Sequence, residues 1–258
     1  MIGPEPLPQG ECHVWVVRVE AALAAGSERY LAWLSSDEQA GLRRYRFERH
    51  QREHLVTRAL GRAVLSRYTA VPPSAWTFAA GSHGKPFLTG PAPLPPLAFN
   101  LANAGDVVVC AVAAATDVGV DVEPVEGPGD PLDLAQTAFS AEEAAALRAL
   151  PPELWRERFV AIWTLKEAYV KARGLGLALP TQRFSVSLDG APPSLALGTL
   201  AEAHVRFDPA VGDDPARWQL LRLGGIAGHS LAVALRRPAG GGFRVRLRTA
   251  VTLELDEA

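Results

Sequence analysis

Two stretches of this chain echo each other. GDVVVCAVAA (105–114) and GHSLAVALRR (228–237) are each a turn followed by a run of apolar residues. Each lies in a half of the chain that also carries one long helical stretch. A buried strand and a long helix that occur twice, without strict strand–helix alternation, point to an α+β protein of two similar lobes rather than a doubly wound parallel sheet.

Composition agrees with a large folded core. The chain has 258 residues, of which 48% are hydrophobic and 21% charged, enough for one large domain or two small ones, and this excludes a disordered or fibrous protein. A formal net charge of −2 argues against a nucleic-acid binder. No run approaches the roughly 18 apolar residues of a membrane span. The start, MIGPEPLPQGECHVW, lacks a basic segment and a long apolar stretch, so no signal peptide is expected and a cytoplasmic location is. Cys12 and Cys110 sit in apolar strand-like runs and read as buried free thiols. Only three lysines occur, Lys85, Lys166 and Lys171, against an otherwise all-arginine set of cations. A lysine kept against that usage marks a place where a compact ammonium is wanted.

Local patterns give the element order. CHVWVVRVE (12–20) reads as a strand. Ser35 with Glu38 forms a capping-box pattern opening a helical stretch to about Tyr68, with a break near 47–50. Arginines 43, 44, 46, 49, 52, 58, 62 and 67 crowd that stretch and read as a solvated face or an anion-binding one. Short extended pieces at 76–79 and 86–88 flank GSHGKP, and strands are expected at 107–113 and 117–124, the second ending in the loop VEGPGDP. Ser140 with Glu143 repeats the capping-box pattern, and a longer helix over about 153–173 stops at Gly174. Strands follow at 184–188, 204–207, 218–223 and 230–236, and the alternation in FRVRLRTAVTLELDEA predicts a terminal strand or hairpin lying over an edge. His13, His50, His54, His204 and His229 show no metal-ligand spacing and read as surface or turn residues.

Two motifs carry chemistry. In GVDVEP (119–124), strand alternation puts Asp121 and Glu123 on one face. Adjacent carboxylates repel unless a cation or solvent compensates, and hard oxygen ligands suit Mg²⁺; an amphipathic strand with a wet acidic face has the same pattern. In FVAIWTLKEAYVKARGLGL (159–177), Glu167 and Lys171 share a helix face, either as a surface pair or as charged groups of a largely buried helix that need partners. Asp121, Glu123 and Glu167 around one metal, with Lys171 beside them, would make a site for metal-assisted attack at a pyrophosphate.

At this separation, GVDVEP and WTLKEAYVKARGLGLALP resemble the signature of the 4′-phosphopantetheinyl transferase superfamily, in its larger surfactin-type class. HGKPFL (83–88), FNLANAGDVVVCAV (99–112), FSAEE (139–143) and FSVSL (184–188) extend the likeness over most of the chain. The resemblance implies two similar α+β lobes related by a pseudo-two-fold, with residues 1–116 the nucleotide side of a coenzyme A site and 117–258 carrying the metal and catalytic motifs. It implies transfer of the 4′-phosphopantetheine arm of coenzyme A to a serine of an apo acyl or peptidyl carrier protein, releasing adenosine 3′,5′-bisphosphate. Asp121, Glu123 and Glu167 would hold Mg²⁺, Lys171 would neutralise phosphate charge, and Glu167 or water held by the carboxylates would be the base. Lys85 and Pro86 would meet the nucleotide end, Asn103 the pyrophosphate, and Arg52 or Arg58 the 3′-phosphate. The partner would be a small acidic helical carrier steered by arginines of the 43–67 stretch, and one chain, as a monomer, would hold the whole site.

Where family members often read FN-x-SHS, this chain has Phe99-Asn100-Leu101-Ala102-Asn103-Ala104, and an asparagine donates through its amide but carries no charge. Two other functions use the same residues: a metal-dependent hydrolase of coenzyme A or nucleotide pyrophosphates, and a non-catalytic module that binds coenzyme A or a carrier.

Overall fold

The chain divides into two units, Met1–Thr116 with Arg244–Ala258, and Asp117–Phe243; the computed structural model describes residues 4–188, 195–238 and 241–254. In the first unit the valine-rich start forms β1 (Glu11–Arg18), followed by α1 (Val19–Trp33), α2 (Ser36–Leu42) and α3 (Glu48–Arg67). Then come β2 (Thr77–Ala80) and β3 (Pro86–Gly90), paired with each other, and β4 (Leu97–Ala104) and β5 (Val107–Ala114). β5 is antiparallel to both β1 and β4. The apolar stripe of α3, including Val56, Leu60, Ala63 and Val64, packs with Trp15, Val17, Val108, Cys110 and Val112. Each aliphatic side chain so enclosed contributes about 1.5–3 kcal/mol.

The second unit runs β6 (Val118–Pro124), α4 (Pro131–Ala138), α5 (Ala141–Arg148), α6 (Trp155–Arg173), β7 (Phe184–Ser187), β8 (Leu200–Phe207), β9 (Trp218–Leu223) and β10 (His229–Arg236). Its five strands lie in the order β6-β10-β9-β8-β7, every neighbour antiparallel. One face is covered by α6, whose Ala161, Leu165, Ala168, Tyr169 and Ala172 are buried with Leu220, Ala232 and Ala234. Gly174, at φ 64, ends α6 in the left-handed region. The last strand, β11 (Arg244–Thr249), belongs to the first unit and lies parallel to β1.

Both units are thus mixed helix and sheet, as expected, and both capping boxes form. Ser35 Oγ accepts from the Glu38 N–H at 3.2 Å, and Ser140 Oγ accepts from the Glu143 N–H at 3.3 Å. The expected break in the basic stretch falls between α2 and α3.

Three expectations are corrected, and one element is added. The strand expected over 12–20 stops at Arg18, and the alanine-rich segment after it is α1. The segment after VEGPGDP, for which the sequence reading gave no element, is α4, because Asp130 Oδ1 accepts from the N–H groups of Leu132 and Asp133 at 2.8 and 3.2 Å while Pro131 takes the first helical position. The terminal strand does not extend the 117–258 lobe. It takes up the open ladder of β1, and Arg246 and Arg248 pair with Glu11 (2.9 Å) and Glu5 (2.5 Å). Leu255, the last apolar position of its alternation, lies outside the described residues. His13 is buried rather than a surface residue, with Nδ1 2.6 Å from the Tyr68 hydroxyl and Nε2 3.1 Å from Glu11 Oε2. No helix among the described residues is long and apolar enough to cross a membrane.

Candidate functional site

The two motifs meet because of one small residue. A Cβ at Gly119 would lie 2.1 Å from the Ala168 carbonyl oxygen and 2.3 Å from the Ala172 nitrogen, so only glycine lets the backbone of α6 settle on β6 there. That approach seats Lys171 over Asp121, two residues along the strand on the same face. The Lys171 ammonium donates to Asp121 Oδ1 at 2.6 Å. Asp121 is 3% exposed, and its other oxygen, Oδ2, is buried without a hydrogen-bond partner. Glu123, next on that face, accepts from the Trp163 indole N–H at 3.2 Å.

Electrostatics ties the three carboxylates together. Burial raises the Asp121 carboxyl to about 7 despite the pull of Lys171, and Glu123 and Glu167 push it further up. Glu167 is raised too, by burial first and then by Glu123, with Lys171 opposing. An acid in this range holds or releases a proton near neutral pH. The donor set also suits a hard divalent cation, for which one or two carboxylates suffice when water and phosphate oxygens complete the shell. The unpartnered Asp121 Oδ2 is the atom such a cation would satisfy. Among the described residues, no three acidic, histidine or cysteine side chains are gathered at ligating distance.

Lys166, adjacent to Glu167 in sequence, has a different place. It is 0% exposed, and its ammonium meets Glu143 Oε2 at 2.7 Å, the Thr181 carbonyl at 2.9 Å and the Phe184 carbonyl at 2.5 Å. Glu143 Oε2 also accepts from the Ser140 N–H, and Oε1 from the Val186 N–H at 2.7 Å. Glu143 is thus both the helix cap expected of it and the counter-charge of Lys166, joining α5, α6 and β7. Sequence reading found the cap and missed the pair, although an otherwise lysine-poor chain and an apolar helix already said that Lys166 needed a partner.

The candidates of the first unit are dispersed. Arg52 pairs with Glu20 and lines a depression of about 260 Å³ with Glu48, Arg49 and Asp106. Arg58 and Pro86 line one small recess with Glu38, Phe78, Phe99 and Leu101, and Arg58 Nε donates to His54 Nε2 at 3.4 Å. Lys85 is half-buried just before β3, and Asn103 is exposed on β4. The arginine-rich stretch is not one uniform face. Arg43, Arg44, Arg46 and Arg49 are exposed, whereas Arg62 is 1% exposed and bound to Glu38 Oε2 at 2.5 Å and to the Pro73 and Trp76 carbonyls. Arg67 pairs with Glu5 at 3.0 Å.

Residues 117–232, which hold both motifs, match the family model of the 4′-phosphopantetheinyl transferase superfamily, and residues 24–115 match that of a 4′-phosphopantetheinyl transferase N-terminal region. The chain is similar to the 4′-phosphopantetheinyl transferase HetI of a Nostoc species, 34% identical over 65% of this chain and 70% of that protein. It is also similar to a 4′-phosphopantetheinyl transferase of Bacillus subtilis, 32% identical over 68% of this chain and 76% of that protein. A third similarity is to the L-aminoadipate-semialdehyde dehydrogenase-phosphopantetheinyl transferase of Rattus norvegicus, 27% identical over 80% of this chain and 68% of that protein.

Proposed function

Because this chain belongs to the 4′-phosphopantetheinyl transferase superfamily, we propose that it transfers the 4′-phosphopantetheine arm of coenzyme A to a serine of an apo carrier protein, with Asp121, Glu123, Glu167 and Lys171 carrying the reaction. The observation that supports this most is the buried Asp121, held by Lys171 and perturbed by both other carboxylates. Asp121 and Glu123, with Glu167, would hold Mg²⁺, which when bound supplies positive charge against the pyrophosphate oxygens.

The chain's own groups do the rest. The carrier serine hydroxyl must lose its proton as its oxygen bonds to the phosphorus that bears the pantetheine. Glu167, whose carboxyl is raised by burial, or water held by the carboxylates, would take that proton. The bond from that phosphorus to the bridging oxygen breaks, and adenosine 3′,5′-bisphosphate leaves with the electron pair. Lys171 offsets charge on the phosphate oxygens, and its ammonium already sits at the carboxylate that would face them. Lys85 and Pro86 are assigned to coenzyme A from their match to the family's HGKPFL motif, Asn103 to its pyrophosphate by position although the family's histidine is absent, and Arg52 or Arg58 to its 3′-phosphate from their place on the basic helix. We assign the enzyme to the cytoplasm, as a monomer, acting on an acidic carrier that the exposed arginines between 43 and 49 would attract.

Chromatography of nucleotide products tests the assignment. Adenosine 3′,5′-bisphosphate should form only when coenzyme A, apo carrier and divalent cation are all present, and Glu167→Gln should abolish it. Release without carrier would make the protein a hydrolase and overturn the proposal.

A further inference from the structure

Among the described residues, only two buried side-chain oxygens lack a hydrogen-bond partner: Asp121 Oδ2 and Ser230 Oγ. The β6–β10 ladder puts them together. Asp121 stands opposite Ala232 and Glu123 opposite Ser230. Side chains directly opposite share a face, and Ala232 is buried under α6 with Ala234, so Ser230, two residues before it, lies on the same face. That is the face on which Asp121 meets Lys171 and Glu123 meets Trp163, both of α6. The two orphaned oxygens are therefore on neighbouring strands, two register positions apart on one face, diagonal neighbours about 7–8 Å apart with their Cβ atoms somewhat closer.

An unpaired hydroxyl is an expensive choice here. Ser230 is 7% exposed, and a buried polar group without a partner costs about 1–3 kcal/mol. Alanine serves at 232 and 234 on the same strand face, so packing alone does not call for a hydroxyl. Ser230 also lines a depression of about 650 Å³ with Glu126, Glu157 and Arg222. A hydroxyl both donates and accepts, and so can meet either a carboxylate oxygen or a cation-bound water.

We propose that Ser230 is a positioning residue of the cation site: its hydroxyl hydrogen-bonds the oxygen shell of the divalent cation that Asp121 and Glu123 would hold, fixing Glu123 and its neighbouring water. The inference rests on the cation reading given under the proposed function. Outer hydrogen bonds of this kind commonly tune metal affinity by 10–100-fold, and a neutral serine belongs at the lower end.

The test is titration with Mn²⁺, following the free-ion electron paramagnetic resonance signal, for wild type, Ser230→Ala, Ser230→Thr and Glu123→Ala. Urea melts of wild type and Ser230→Ala in EDTA run beside it. Ser230→Ala should weaken Mn²⁺ binding about tenfold, while Ser230→Thr, which keeps the hydroxyl, stays within about twofold. In EDTA, Ser230→Ala should be at least as stable as wild type, because it removes an unsatisfied group. Wild-type affinity in Ser230→Ala, with binding lost in Glu123→Ala, overturns the role of Ser230 alone. Equal binding by wild type and Glu123→Ala overturns the cation reading instead. Ser230→Ala that is destabilised in EDTA makes the serine a packing residue and overturns the proposal.

Discussion

Replacing Lys166 by methionine should cost far more stability than its volume implies, and removing Glu143 as well should recover much of the loss. Lys166 Nζ has three acceptors, the Glu143 carboxylate at 2.7 Å and the carbonyls of Thr181 and Phe184, and no solvent. Glu143, 4% exposed, would be left as an uncompensated buried charge, a loss of about 3–5 kcal/mol. Glu143→Gln leaves the ammonium unpaired and should cost a similar amount. In the double variant neither charge remains, so its loss should fall below that of either single change, a coupling of at least about 3 kcal/mol. Urea melts of the four proteins at pH 7 measure this directly. Losses that add to within about 0.5 kcal/mol would refute the pairing as the source of the effect.

The buried Asp121 makes stability depend on pH. Its carboxyl rises from 3.8 in the unfolded chain to about 7, so the stabilisation is complete below pH 4 and lost as pH climbs to 7, on the order of 4 kcal/mol. In EDTA, Asp121→Asn should therefore be more stable than wild type at pH 8 and close to it at pH 4; lower stability at pH 8 would contradict the assignment. Gly119→Ala forces a Cβ to within 2.1 Å of the Ala168 carbonyl, so it should lower stability by at least about 3 kcal/mol and abolish turnover, as thermal melts and nucleotide release would show. Arg43→Glu with Arg46→Glu, both exposed, should raise the carrier KM and flatten its salt dependence at unchanged melting temperature. An unchanged KM would remove those arginines from carrier steering.

The parts of the fold legible in the sequence were those set by local chemistry. Ser-x-x-Glu announces a helix start through contacts three residues apart, and both boxes formed. The face shared by Asp121 and Glu123 follows from strand alternation alone. What escaped depends on distant partners. Glu38 and Glu143 each cap a helix and then also take a buried cation from the long helix of the same unit, Arg62 and Lys166, so the echo noted between the halves extends to their buried ion pairs. Spacing along the chain could show that Lys166 needed a partner, but not that it was Glu143, already occupied as a cap. The close approach at Gly119 had no sequence signal beyond a glycine in a strand. His13 looked solitary because its partner, Tyr68, comes from the far end of α3. The pairing of β11 with β1 was invisible for the same reason: an open strand edge does not announce which segment will take it.

The reaction itself is tested most directly by intact-mass spectrometry of an apo carrier protein incubated with coenzyme A, Mg²⁺ and this enzyme. Wild type should add one phosphopantetheine arm per carrier, with Glu167→Gln and Lys171→Ala leaving the carrier mass unchanged while remaining folded. A carrier that gains no mass with wild type, across acyl and peptidyl carriers, would contradict the proposed transfer; equal gain with Glu167→Gln would contradict the role given to that carboxylate.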